Sequence, residues 1–169
     1  AGTTLAEIDA ALAEQGQILA CDPRRYGGQA TLGGSLATHQ SGPARPWAGS
    51  LRDHVLGVRL INGLGEHLRF GGQVMKNVAG YDVSRLQAGA MGTLGVITEI
   101  SVKVLPQPDF SLTLTKECDI FAGHELSKKL AGSTKPLTGM AWVDGMLYLR
   151  LQGSRQAIEA TMQQWHNAY

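Results

Sequence analysis

Fifteen of the chain's 22 glycines lie between Gly27 and Gly95, among them the pairs Gly27-Gly28, Gly33-Gly34 and Gly71-Gly72. Glycine inside a helix or strand costs about 0.5–1 kcal/mol relative to alanine. A stretch this rich in it has to consist of turns, close backbone approaches and short elements between them. Only five glycines follow in the 74 residues after Gly95. Charge shifts in the same place, with eight basic residues against four acidic ones from Asp22 to Arg85. Backbone that can approach closely, beside positive charge, suits a bound pyrophosphate. Glycines in tight turns beside a solvated arginine face fit the composition equally well, and composition leaves both readings open.

The rest of the composition narrows the class. A chain of 169 residues that is 43% hydrophobic and 17% charged can bury a core without disulfides or metal. No apolar run approaches the roughly 20 residues of a membrane span, and Ala1 to Leu5 lack the basic and apolar regions of a signal peptide. Fifteen basic residues against 14 acidic ones give a net charge of +1, which argues against a dedicated nucleic-acid binder. Cys21 and Cys118 form no metal or redox spacing and read as reduced thiols.

Periodicity gives a coarse architecture. Thr4 and Glu7 have capping-box spacing before a helix with Leu5, Ile8 and Leu12 on one face, stopped by Gly16. A short apolar segment from Ile18 to Cys21 runs into the turn Asp22-Pro23. Residues 24–54 show no sustained period, apart from a helical turn expected at Ser35 to Thr38, and a stretch like that inside a domain is usually functional. A strand from Val55 to Ile61 and a return from His67 to Phe70 flank Asn62-Gly63-Leu64-Gly65 as a hairpin. A short helix is expected from Tyr81 to Ala88, bearing Val83, Leu86 and Gln87, and then a strand from Val96 to Leu105. Pro106-Gln107-Pro108 ends that strand and marks the domain boundary, since prolines do not sit inside a sheet ladder. Beyond it come a strand from Phe110 to Thr115, a helix over 122–131 ending at Gly132, a hairpin around Asp144-Gly145, and a helix capped by Ser154 with Ile158, Met162 and Trp165 on one stripe. The whole reads as α+β, with residues 1–107 as one domain and 108–169 as a small antiparallel unit with helices on one face.

Several chemistries find no support. Gly63-Leu64-Gly65 lacks the third glycine of a dinucleotide fingerprint, because Leu68 stands there, and a strand follows rather than a helix. No phosphate-binding P-loop occurs, no histidines fall at metal-ligand spacing, and Ser35, Ser50 and Ser84 lie in no nucleophile elbow. What remains is Ala30-Thr31-Leu32-Gly33-Gly34-Ser35-Leu36-Ala37-Thr38, whose backbone amides and hydroxyls could face an anion, and Gly89-Ala90-Met91-Gly92-Thr93-Leu94-Gly95-Val96-Ile97-Thr98-Glu99 leading into a strand. Between them lies Gly49-Ser50-Leu51-Arg52-Asp53.

The order of these three blocks, together with Lys76-Asn77-Val78-Ala79-Gly80-Tyr81-Asp82, resembles the flavin-binding domain of the vanillyl-alcohol-oxidase (PCMH-type) superfamily. Gly42-Pro43-Ala44-Arg45-Pro46-Trp47-Ala48-Gly49-Ser50 and the stretch from Leu68 to Lys103 are most similar to the branch of bacterial glycolate oxidase E subunits. The resemblance is close over residues 1–107 and looser to the end. It implies an FAD-binding domain of two α+β subdomains with the cofactor between them, followed by a cap-like unit. It implies cofactor contacts at Thr31, Gly33, Gly34, Ser35 and Thr38, at Gly42, Arg52 and Asp53, and at Gly92, Gly95, Val96 and Ile97. For Arg52 and Asp53 a structural ion pair is the alternative. Relatives carry a further glycine-rich loop in an earlier subdomain, so the chain is expected to be a fragment that holds FAD weakly or not at all and is inactive in isolation. No metal and no catalytic residue are assigned.

The implied function is that of an FAD-binding subunit in a glycolate oxidase complex that oxidises glycolate to glyoxylate. A second flavin subunit and an iron–sulfur subunit are the expected partners, with the main substrate site in a partner chain. The complex is expected in the cytoplasm, peripheral at the inner membrane at most. A truncated stand-alone dehydrogenase of 2-hydroxy acids such as D-lactate, and a scaffold subunit that has lost FAD, stay open as alternatives.

Overall fold

The computed structural model describes residues 1–19, 21–72, 80–132 and 136–168. They form two compact units, Ala1–Gln107 and Pro108–Tyr169. Both are mixed α and β with open antiparallel sheets, in line with the α+β class.

The first unit opens with α1 (Leu5–Ala13), whose capping box is complete: Thr4 Oγ1 accepts from the Glu7 amide and the Glu7 carboxylate accepts from the Thr4 amide. Leu5 is buried, and Ile8 and Leu12 pack beside it against the core, so the helix faces inward as its spacing predicts. The core continues through Leu19, Cys21, Leu32, Leu36, Leu51, Val55, Val58 and Leu60.

Three antiparallel strands carry that core on one face. β2 (Val55–Ile61) lies in the centre, with β3 (His67–Gly71) on one side and β4 (Val96–Val102) on the other. Val58 and Leu60 point inward, while Arg59 points outward between Arg69 of β3 and Glu99 of β4. The expected strand from Val96 to Leu105 stops at Val102. Leu105–Pro106 instead forms β5, which pairs with β1 (Gln17–Ile18). Pro106 therefore does sit in a ladder, but a two-residue one, and the donor it lacks is supplied one residue later, where the Gln107 amide donates to Gly16 O at 2.8 Å. β1 is also shorter than the expected apolar segment, whose Leu19 and Cys21 enter the core outside any strand.

Residues 24–54 are more regular than the sequence suggests. They hold a turn of 3₁₀ helix at Tyr26–Gly28, then α2 (Leu32–Thr38), α3 (Arg45–Ala48) and α4 (Leu51–His54). Four-residue helices are about one turn long, too short for a 3.6-residue period to show. α5 (Val83–Leu86) is shorter than expected, and it turns Ser84 and Gln87 inward while Leu86 stays exposed. Ser84 sets that orientation, because its hydroxyl donates to Phe70 O at 2.9 Å.

The second unit is a sheet in the order β6 (Phe110–Glu117), β8 (Met146–Gly153), β7 (Leu137–Val143), with α6 (Ile120–Ala131) and α7 (Arg155–Ala168). Leu147, Leu149 and Leu151 are buried, and both helices line the same cavity as Leu114 and Leu149, so they share one face of the sheet. The hairpin turns on Asp144 (φ 47°) and Gly145 (φ 84°), the left-handed pair its sequence predicts. α6 starts two residues earlier than expected, because Asp119 caps it by accepting from the Ala122 amide at 2.8 Å. On α7, Ile158 and Trp165 are buried as expected, but Met162 is exposed and Thr161 takes the inner position, its hydroxyl donating to Ala157 O at 2.8 Å. No helix among the described residues is long and apolar enough to cross a membrane.

Candidate functional site

α2 begins at Thr31, whose extended backbone and side-chain oxygen cap the helix by accepting from the Gly34 amide at 3.1 Å. The helix is longer than the expected turn and takes the glycine pair into its own first turn. Its leading amides are already engaged: Leu32 N–H donates to Thr3 O at 3.1 Å and Gly33 N–H to Ala1 O at 2.9 Å. The helix start is therefore closed to an anion. A Cβ on Gly33 would lie 2.9 Å from Ala1 O and Ala1 Cβ, so that glycine serves the chain's own close approach.

What the segment does present is a cavity of about 280 Å³ beside α2, lined by Tyr26, Gln29, Ala30, Thr31, Gly34, Ser35 and Thr38. Four of the residues expected at a cofactor (Thr31, Gly34, Ser35 and Thr38) meet here. Ser35 is 7% exposed, and its hydroxyl forms no hydrogen bond among the described residues. The Thr38 hydroxyl donates to Gly34 O at 2.9 Å and leaves its lone pairs available. A Cβ on Gly34 would approach Thr31 Oγ1 to 3.1 Å on the same wall. Hydroxyls and bare backbone suit a phosphate or polyol. The volume is at the bottom of the roughly 300–1,000 Å³ range for a drug-sized ligand, so this cavity fits one segment of a dinucleotide. Ala30 opens the segment the sequence singles out, whereas Tyr26 and Gln29 were missed by sequence reasoning. The only signal was an aromatic beside Gly27-Gly28, where Tyr26 itself takes a left-handed backbone (φ 43°).

Gly42 lies away from the cavity lining. Its amide donates to Asp22 O, and a Cβ there would meet that oxygen at 2.6 Å, so it too permits a backbone crossing. Arg52 is exposed on α4. Asp53 is a capping residue: one carboxylate oxygen, Oδ2, accepts from the Ser50 amide at 2.8 Å and from the Ser50 hydroxyl at 2.9 Å. Those two bonds hold the Asp53 carboxyl below the usual carboxylate range, with smaller help from the charges of His54 and Arg52. No ion pair joins Arg52 to Asp53 among the described residues, so the structural alternative for Asp53 is a helix cap. Burial pushes the Cys21 thiol, 3% exposed, up to about 11.

The third block is held against α2 from the far end. Gly89 N–H donates to Leu36 O and Met91 N–H to Ala37 O, both at 3.0 Å. Gly92 (φ 76°) is open to solvent, and Gly95 (φ 147°) would drive a Cβ to 2.7 Å from Ile61 O. Val96 is exposed and Ile97 packs on the core. The turn at Gly92 follows the bonds to the C-terminal end of α2, and β4 then runs back toward the helix start, where Thr98 O accepts from the Ala1 amino group; none of these four residues lines the 280 Å³ cavity. Of the stretch from Lys76 to Asp82, residues 76–79 lie outside the described residues. Asp82 caps α5, accepting from the Arg85 amide at 2.9 Å.

Residues 1–71 match the family described as FAD binding domain. The chain is 50% identical over 159 residues to glycolate oxidase subunit GlcE of Escherichia coli K12, covering 94% of this chain and 45% of the relative. It is 40% identical over 84 residues to glycolate oxidase subunit GlcD of Bacillus subtilis 168, covering 50% of this chain and 18% of that one. The chain thus spans less than half the length of these curated relatives. Its fold matches a crystal structure of alkyldihydroxyacetonephosphate synthase with a TM-score of 0.73 at 21% identity, over 96% of this chain and 36% of the other.

Proposed function

We propose that the chain, whose residues 1–71 match an FAD binding domain family, is of the PCMH type and is part of the FAD-binding subunit of a glycolate oxidase complex oxidising glycolate to glyoxylate. The observation that supports this best is the convergence of Thr31, Gly34, Ser35 and Thr38 on one cavity, in a chain half identical to a glycolate oxidase subunit. Bound FAD would supply the acceptor for a hydride equivalent, chemistry no side chain can provide. The protein's part is to hold it. The Thr31 and Ser35 hydroxyls would donate to phosphate or ribityl oxygens, the Thr38 lone pairs would accept from a ribityl hydroxyl, and Gly34 would admit that segment to the backbone. The exposed Arg52 guanidinium would offset phosphate charge, and the backbone from Gly92 to Ile97 would flank the cofactor outside this cavity. Gly33 and Gly42 would act only through the backbone crossings they permit.

In this reading residues 1–107 belong to the flavin domain and 108–169 to a cap-like unit. The subunit works beside a second flavin subunit and an iron–sulfur subunit, with the main substrate site in a partner, and this subunit's flavin passes electrons toward the cluster. The test is turnover of the assembled complex with glycolate after this subunit's flavin has been removed. A large fall in turnover that returns on adding FAD is expected. Full turnover without that flavin overturns the electron-transfer role and leaves assembly as the subunit's contribution.

A further inference from the structure

His39 ends α2 with a left-handed backbone (φ 53°), a conformation that glycine or asparagine usually supplies. Its ring accounts for the exception. His39 Nε2 lies 3.0 Å from Ser50 Oγ, and Ser50 is 4% exposed. The Ser50 hydroxyl has a single proton, and that proton goes to Asp53 Oδ2 at 2.9 Å, because an ionised carboxylate can only accept. Only lone pairs remain on Ser50 Oγ for the imidazole. Nε2 must therefore carry a hydrogen, and the bonds run one way, from His39 through Ser50 to Asp53.

This chain of bonds joins the first two glycine-rich blocks, and backbone bonds hold the third to the same end of α2. α2 carries Gly34, Ser35 and Thr38 on the cavity wall. α4, which follows the Ser50–Asp53 capping box, carries Arg52. The turn after α5 is bonded to Leu36 and Ala37, and a Cβ on Gly89 would sit 3.5 Å from His39 Cβ. We propose that His39 is a positioning residue for the flavin cradle, its Nε2–H setting the C-terminal end of α2 against α4 so that the cavity wall and Arg52 keep a fixed spacing. The inference rests on the flavin reading above. His39 touches no reacting atom in it and acts through Ser50.

Two measurements on the intact protein test it. Nitrogen NMR of the neutral His39 ring should show Nε2 protonated and Nδ1 bare, and the opposite tautomer overturns the bond pattern. FAD titration, followed by flavin fluorescence, should compare wild type with His39→Leu and His39→Gln. Both replacements carry the same left-handed backbone strain, so that cost cancels between them, but only glutamine keeps a donor near the position of Nε2. His39→Leu should weaken FAD binding about five- to tenfold, as expected for one partly buried hydrogen bond, and His39→Gln should recover most of that. If wild type binds FAD and the two variants bind it equally, His39 has no positioning role while the flavin reading stands. If wild type binds no FAD, the flavin reading itself fails and the positioning role fails with it.

Discussion

Asp53 has the residue type and neighbourhood of a ligand, yet its carboxylate is spent on its own helix. Both Ser50 bonds arrive at Oδ2, and Gly49 (φ 77°) is glycine because a Cβ there would lie 2.8 Å from that oxygen. Asp53→Ala should cost about 1 kcal/mol of stability, the usual value of a helix cap, as read by denaturant unfolding. The folded carboxyl titrates below its ordinary 3.8, so its contribution is present above that value and is lost as pH falls through the lowered folded value. Asp53→Asn should flatten this acid limb. Cys21 has the opposite sign. Its thiol is raised from 9.0 to about 11, so the neutral thiol's contribution is complete below pH 9.0 and is lost between there and about 11. At pH 8 a thiol reagent should modify Cys118, which is half-buried, well before Cys21; equal rates would show that the core around Cys21 opens readily. At this scale the sequence identifies residue types but not partners. Gly33, Gly34 and Gly42 look alike in the chain, and only the close approach of Ala1 or Asp22 separates the two that admit backbone from the one on the cavity wall.

Elements with a strong local signal were legible. The capping box of Thr4 and Glu7, the left-handed Asp144-Gly145 pair and the alternating run of β2 each fix geometry through neighbours a few residues away. Elements set by distant contacts were not. β5 exists because Gln17 and Ile18 lie beside it, α5 faces as it does because Ser84 reaches Phe70 O, and α2 reaches back to Leu32 because Thr31 caps it while the chain's first residues take its leading amides. The crossing of residues 42 and 22 is the sharpest test of this. Gly42→Ala would place a Cβ 2.6 Å from a backbone oxygen that no rotamer change can relieve. It should destabilise the first unit by about 1–3 kcal/mol, the usual range for overpacking. Gly132→Ala, which meets nothing within 4 Å, should change stability far less in the same denaturant titration.

For the whole molecule, the glycine and charge bias of residues 22–95 covers the stretch that lines the cavity beside α2. It could not show that the site divides. One group, on α2, lines a cavity, and the other, from Gly92 to Ile97, does not line it. Whether the cavity beside α2 holds part of an FAD is tested most directly by the visible flavin spectrum of the intact protein compared with its Ser35→Asp variant. A carboxylate at residue 35 lies in the first turns of α2, where negative charge favours the helix, and it faces the cavity, where it would repel a phosphate. One flavin per chain is expected in the wild type and at least tenfold weaker binding in the variant, with the fold retained by circular dichroism and the thermal midpoint lowered by the charge at a position only 7% exposed. A variant that keeps its flavin at wild-type affinity would place the cofactor away from this cavity.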